Sequence, residues 1–218
     1  MSATAPWPTL SHVDWSDCAG VETALRSALL VLREPGTLNE LVTAAAKDDR
    51  LLSLSEVRSW GNRLTVYDDP RTGVRLRLQH WLGGDTDPHG RPHNHRWCFA
   101  STILRGSYEH HLYGTVDEVT DRLATGPVRP LHVRTEAKGS LYVLRADQVH
   151  AATARPGTLS LLLRGPAASD HAVRLNADHS ALSERKRGAA IESRAELPNV
   201  SFTTEHAVEL ASELASSR

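Results

Sequence analysis

The chain has little of several things that would set its class at once. There are only 2 cysteines, Cys18 and Cys98, in 218 residues, too few for a disulfide framework, so they read as reduced thiols of a cytoplasmic protein. No apolar run approaches the 18 or so residues that a membrane-spanning helix needs, so no membrane partner is expected. The opening MSATAPWPTLSHVDW has neither the basic start nor the apolar centre of a secretory signal, and none is expected. Charge of one sign is also missing. Lys+Arg number 25 and Asp+Glu 26, a formal net charge of -1, and no basic field or helix-turn-helix pattern argues for a nucleic-acid partner. With 40% hydrophobic and 23% charged residues, the composition is that of a globular chain. The length suits one domain, or one domain with appended helices.

Periodicity divides the chain into three stretches. Between Gly20 and about Glu34, Val21, Leu25, Leu29, Leu30 and Leu32 recur near helical spacing, and Pro35-Gly36 stops that segment. A second helix is predicted from Thr37 or Asn39 to about Lys47, and a short third one within Leu51 to Trp60. After Gly61 the period becomes two. Arg63 to Tyr67 and Val74 to Trp81 alternate around Asp68-Asp69-Pro70-Arg71-Thr72-Gly73, which predicts a hairpin. Apolar runs follow at Trp97 to Leu104, Ser107 to Tyr113, Val128 to Arg134, Ser140 to Leu144, Val149 to Ala154 and Leu159 to Leu163, separated by Gly and Pro. Many short strands with such turns predict a mainly β sandwich or barrel. Beyond about Ala177 the chain is expected to be helical again, ending in a capped segment from Thr203 to Ser217. The expected organisation is an N-terminal helical arm (1–60), a β-barrel (61–167) and a C-terminal helical extension (168–218).

What the chain does have is histidine, 12 residues of it. In Pro92-His93-Asn94-His95-Arg96-Trp97 two histidines stand one residue apart on an extended segment, so their imidazoles point to one side. His150 closes a later apolar run. A third imidazole from a neighbouring strand would complete a three-nitrogen site with open positions, which is what a catalytic metal needs.

PHNHRWCFASTILRG resembles the first motif of the cupin superfamily, and KGSLYVLRADQVHAA resembles its second. The resemblance covers roughly residues 40–165. It implies a cupin-type double-stranded β-helix, a jelly-roll barrel, here with N- and C-terminal helical extensions. It also implies that His93, His95 and His150 bind one divalent metal. The glutamate of the first motif is replaced by Phe99, so the resemblance implies a three-histidine site. The helical arm, the hairpin LTVYDDPRTGVRLRLQHW and the Gly-rich loop before HxH are further similar to the cysteine-dioxygenase type, whose members hold Fe(II) on three histidines. Two features depart from that type. Phe99 also occupies the position of the family's cysteine, with Cys98 one residue away and thus on the other face of a strand. After His150 the chain reads AATARPGTLSLLLRGP, without the family's Ser-His-Tyr set. The resemblance therefore implies an Fe(II) dioxygenase acting on a small carboxylate- or thiol-bearing substrate with O2, as monomer or homodimer. The same ligands suit Zn(II) or another divalent metal, and a metal-dependent lyase or isomerase, or a non-enzymatic small-molecule-binding cupin, are the alternatives.

Other candidates follow from alternation. Arg75 and Arg77 share a strand face with Gln79 and are candidates to clamp a substrate carboxylate, as are Arg63 and Arg164. Tyr108 and His110 share parity on the strand after Gly106 and are candidate catalytic groups. His89 is a candidate base in the loop before the motif. Trp97 and Phe99 share parity with His93 and His95 and would form an apolar wall beside the metal. The ordinary alternative for each is a solvated strand or loop residue, or a core aromatic.

Overall fold

A computed structural model describes residues 13–83, 91–186 and 202–215, apart from Ser16, Arg33 and Ser59. It opens with α1 (Cys18–Leu32), α2 (Pro35–Ala45) and α3 (Asp49–Ser53). Pro35 both ends α1 and starts α2, because a helix's first position needs no N–H. Asp48 caps α3, its side chain accepting from Leu51 N–H at 3.0 Å. The third helix is short, as expected, and ends at Ser53. Thr65 donates its N–H to Ser55 Oγ and its hydroxyl to Leu54 O, so the sheet captures the chain there, and the later part of that stretch forms β1 (Glu56–Arg58).

The predicted hairpin is β2 (Gly61–Asp68) and β3 (Arg75–Trp81). Then follow β4 (Phe99–Arg105), β5 (Ser107–Thr115), α4 (Val116–Leu123), β6 (His132–Ala137), β7 (Leu141–Leu144), β8 (Gln148–Ala154) and β9 (Thr158–Arg164). Last come β10 (His171–Leu175), β11 (Leu182–Lys186) and α5 (Thr204–Ala215). The expectation of helix from about 177 is corrected for Leu182–Lys186, which pairs antiparallel with β10. The cause is non-local, since β10 itself is held by a bridge between Arg174 and His93.

One sheet has the order β1-β2-β3-β9-β4-β7, and a second has β6-β5-β8, extended through His93 to β10 and β11. All named pairs are antiparallel. From β3 to β10 the chain crosses repeatedly between the two sheets, which is the jelly-roll arrangement of the expected cupin type. Gly106 makes the tight turn from β4 to β5. Its φ is +77°, and a Cβ there would lie 2.9 Å from Thr158 Cα, so only glycine fits.

Alternation sorts the side chains into layers. Leu64, Leu76, Leu78, Leu161 and Leu163 face outward from the first sheet and bury against Leu25, Leu29 and Leu32 of α1, Val42 of α2 and Leu210 of α5. Burying one such leucine contributes about 1.5–3 kcal/mol. Val149 and Ala151 face out of the second sheet beneath Val119 of α4. Between the sheets lie Phe99, Ile103, Tyr108, Tyr142, Leu144, Ala152 and Leu162. Among the described residues no helix is long and apolar enough to cross a membrane.

Candidate metal centre

The HxH segment is stitched into the second sheet from both sides. His93 N–H donates to His150 O at 2.8 Å, and His150 N–H returns the bond at 2.9 Å. Leu175 N–H donates to Pro92 O, and the Asn94 side chain accepts from Val173 N–H at 2.7 Å while donating to Ala146 O at 3.0 Å. Asn94, the residue between the two histidines, is therefore the brace that fixes their backbone.

Ligand atoms of His93, His95 and His150 all lie within 4.8 Å of one another. Nε2 of His95 and Nε2 of His150 are 2.9 Å apart. Two nitrogens sharing one ion at about 2.1 Å each stand roughly this far apart when the bonds are near perpendicular. The other nitrogen is engaged in two of the rings. His93 Nδ1 lies 2.9 Å from Arg91 O, and His150 Nδ1 lies 2.9 Å from His110 Nε2. Such contacts orient imidazoles that bind metals. Burial, with His93 and His110 beside it, pushes the His150 imidazole well below its usual range, so at neutral pH it offers a lone pair rather than a charge. The donor set thus fits a borderline divalent cation.

Phe99 and Trp97 wall this cluster. The Trp97 ring stacks on His95 at 4.4 Å between centroids, and Phe99 meets His95 edge-on at 5.0 Å. Cys98 packs instead with the outward core of the first sheet. An open cleft of about 370 Å³, lined by Asn94, His95, Cys98, Ala168 and Ser169 among others, reaches the cluster at His95.

The arginine candidates form a second group. Arg164 stands over the Trp97 ring at 5.4 Å, directly opposite Arg75 in the β3–β9 register. Burial, then Arg75 and Arg77, lower Arg164 to about 9, which leaves it a cation at pH 7. Its side chain donates only to the backbone carbonyls of Gly73 and Gly165 among the described residues. Arg75 is held by Asp68 at 2.7 Å. Arg77, Arg63 and Arg58 converge on the one carboxylate of Glu56, at 3.4, 3.6 and 2.9 Å. Burial alone would raise Glu56, but Arg63, Arg77 and Arg58 outweigh it and hold the carboxyl at about 2. Nε of Arg77 is buried without a hydrogen-bond partner among the described residues. Among the described residues cations therefore outnumber carboxylates here, and Arg75 facing Arg164 is a like-charge pair that an isolated sheet disfavours.

Tyr108 and His110 both face between the sheets and are buried. The Tyr108 hydroxyl bonds that of Tyr142, and Ser101 bonds both. Burial first raises both phenols, Tyr142 to about 12, so they act as neutral donors. His89 lies outside the described residues. Glu56, Arg134, Glu136 and Tyr142 were not singled out from the sequence, because what makes them notable is burial or pairing set by strand register, and no local pattern encodes that.

No family model matches the chain, and no curated protein matches it. Solved structures do. KdgF from a Halomonas species is similar over 51% of this chain and 83% of its own, at 20% identity and a TM-score of 0.38. An RmlC-like cupin from Shewanella frigidimarina NCIMB 400 is similar over 53% and 84%, at 13% identity and 0.36. Hydroxypropylphosphonic acid epoxidase from S. wedmorenis is similar over 49% and 50%, at 14% identity and 0.35. Likenesses of this size carry no argument about this chain, and its jelly-roll assignment stands on its own strand order and register.

Proposed function

We propose that His93, His95 and His150 hold one divalent metal, Fe(II) foremost, in a mononuclear non-heme oxygenase of the cupin type. Its substrate is a small molecule bearing a carboxylate or a thiol, used with O2 in a cytoplasmic setting. The observation that carries this is the donor set: His95 and His150 meet at hydrogen-bond distance with His93 close by, and Phe99, with no carboxylate among the described residues, stands beside them. Neutral ligands leave the dication's charge uncompensated, so an anionic substrate is favoured as a further ligand. The metal, when bound, supplies a Lewis-acidic, redox-capable centre with open positions.

The chain's own groups do the rest. Trp97 and Phe99 exclude water from one side of the centre, which strengthens electrostatic interactions there. Arg164, beyond Trp97, and Arg77, on Glu56, offer guanidinium donors to a substrate carboxylate. Arg75 serves by keeping Asp68 in place and adding to the positive field. Tyr108 and Tyr142 keep their protons at neutral pH and present a polar floor between the sheets. A cysteine-dioxygenase-like specificity, with thiolate and carboxylate on one small molecule, is supported by two features of the described residues: an imidazole set without a carboxylate and a nearby excess of guanidinium over carboxylate.

The test is metal analysis of anaerobically purified protein, followed by oxygen uptake against a panel of thiols, amino acids and keto acids. One ion per chain is expected, with oxygen consumed by the iron form when a carboxylate-bearing substrate is added. Anaerobic turnover by the zinc form, with no oxygen uptake by the iron form, would establish the lyase or isomerase reading instead.

A further inference from the structure

We propose that His110 is a positioning residue: it accepts the Nδ1 proton of His150, and so keeps the Nε2 lone pair of His150 aimed at the metal. This rests on the metal reading above. Three neighbouring strands each supply one link. β8 carries His150, β5 carries His110 and β6 carries Glu136, in the strand order β6-β5-β8. His110 is fully buried. Its Nε2 lies 2.9 Å from His150 Nδ1, and its Nδ1 lies 3.3 Å from Glu136 Oε1. Arg134, from the same strand as Glu136, forms an ion pair with that Oε1. Tyr142 covers the His110 ring at 4.8 Å between centroids. Both ring nitrogens of His110 are thus committed within the protein, which argues against direct contact with substrate.

Only one set of tautomers satisfies every link when His150 Nε2 points to the cluster. Glu136, an ionised carboxylate, can only accept, so His110 carries its proton on Nδ1 and donates it to Glu136. Nε2 of His110 is then an acceptor, and Nδ1–H of His150 donates to it. Without that acceptor a buried N–H loses its partner, and the competing tautomer of His150 would place a proton where the metal binds. The β-ladder sets the chain's geometry: His110 pairs with Ala152, two residues past His150, and with Arg134, two before Glu136.

The experiment uses the full chain, metal-free, with Co(II) alone as the probe. Imidazole 15N shifts report the His150 tautomer, and competition with a chromophoric chelator reports Co(II) affinity. In wild type His150 is expected as the Nδ1–H tautomer. His110→Phe should shift it toward Nε2–H and weaken Co(II) binding about 10–100-fold, the usual effect of removing such an outer contact. Glu136→Gln should weaken it less. His110→Gln, whose amide can accept from His150 and donate to Glu136, should retain most of the affinity. It also keeps the test open if the Phe variant folds poorly. An unchanged tautomer and unchanged affinity in His110→Phe would overturn the positioning role alone. Failure of wild type to bind Co(II) would overturn the metal reading and the role together.

Discussion

The histidine and arginine regions between the sheets face the same shortage in opposite ways. Around His93, His95 and His150 the protein collects imidazole donors with no carboxylate beside them among the described residues, and Phe99 lies against the rings. Around Arg77 and Arg164 it collects charged donors, and among the described residues fewer carboxylates face them, Glu56 being shared by three guanidiniums. Among the described residues the first region offers a metal no anionic ligand, and the second places more guanidiniums than carboxylates. A small anionic molecule reaching from one to the other would satisfy both, and Trp97, in contact with His95 and Arg164 alike, joins them.

Substitutions separate the two regions. The largest effect is expected from His150→Ala, which should lose the metal and reduce turnover to background, measured by metal content and oxygen uptake, rather than merely raise KM. Phe99→Glu makes the histidine region resemble a carboxylate-bearing site. The metal-free variant should be less stable by a few kcal/mol from burying a charge, metal should restore it, and oxygen uptake should fall at least about tenfold as an open position is filled. Calorimetry with and without Co(II) checks the first part and an oxygen electrode the second.

In the arginine region Glu56→Gln should cost about 3–5 kcal/mol in urea unfolding, because it takes the carboxylate from the half-buried Arg58 and Arg77 guanidiniums. Added sulfate should recover part of the loss. The sign with pH follows from a carboxyl held at about 2 against an ordinary 4.5. Glu56 contributes stability in full above about 4.5 and loses it as pH falls toward 2, so the variant should show a shallower acid limb. Arg164→Met should raise KM for a carboxylate-bearing substrate about tenfold or more, as loss of a charge-assisted hydrogen bond does, while metal content stays unchanged. Arg145→Ala, which removes an exposed pair with Asp147, should change stability by no more than about 1 kcal/mol.

Much of the fold was legible because alternation is local: Val149 and Ala151 face one way and His150 the other, whatever lies across the sheet. The same logic placed Phe99 inward and Cys98 outward from one-residue spacing. Helix α4 carried a readable signal, the Thr115 and Glu118 capping box, but it is short and lies between two strand-like runs, and it was not predicted. Glu56 lay in a stretch read as helix, and its strand forms only because β2 is beside it. β10 and β11 were unreadable for a similar reason. Their pairing depends on the His93 segment arriving alongside, an event no nearby residue encodes. Glu136 shows the limit most plainly. It stands in an otherwise exposed strand, and only the pairing of β6 with β5 turns its carboxylate toward His110.

The decisive measurement is anomalous diffraction at the iron edge from crystals grown anaerobically with Fe(II). A single peak about 2.0–2.2 Å from one ring nitrogen each of His93, His95 and His150, with no other protein ligand, is the predicted result. A peak lying elsewhere, or one bound by fewer than these three imidazoles, would contradict it.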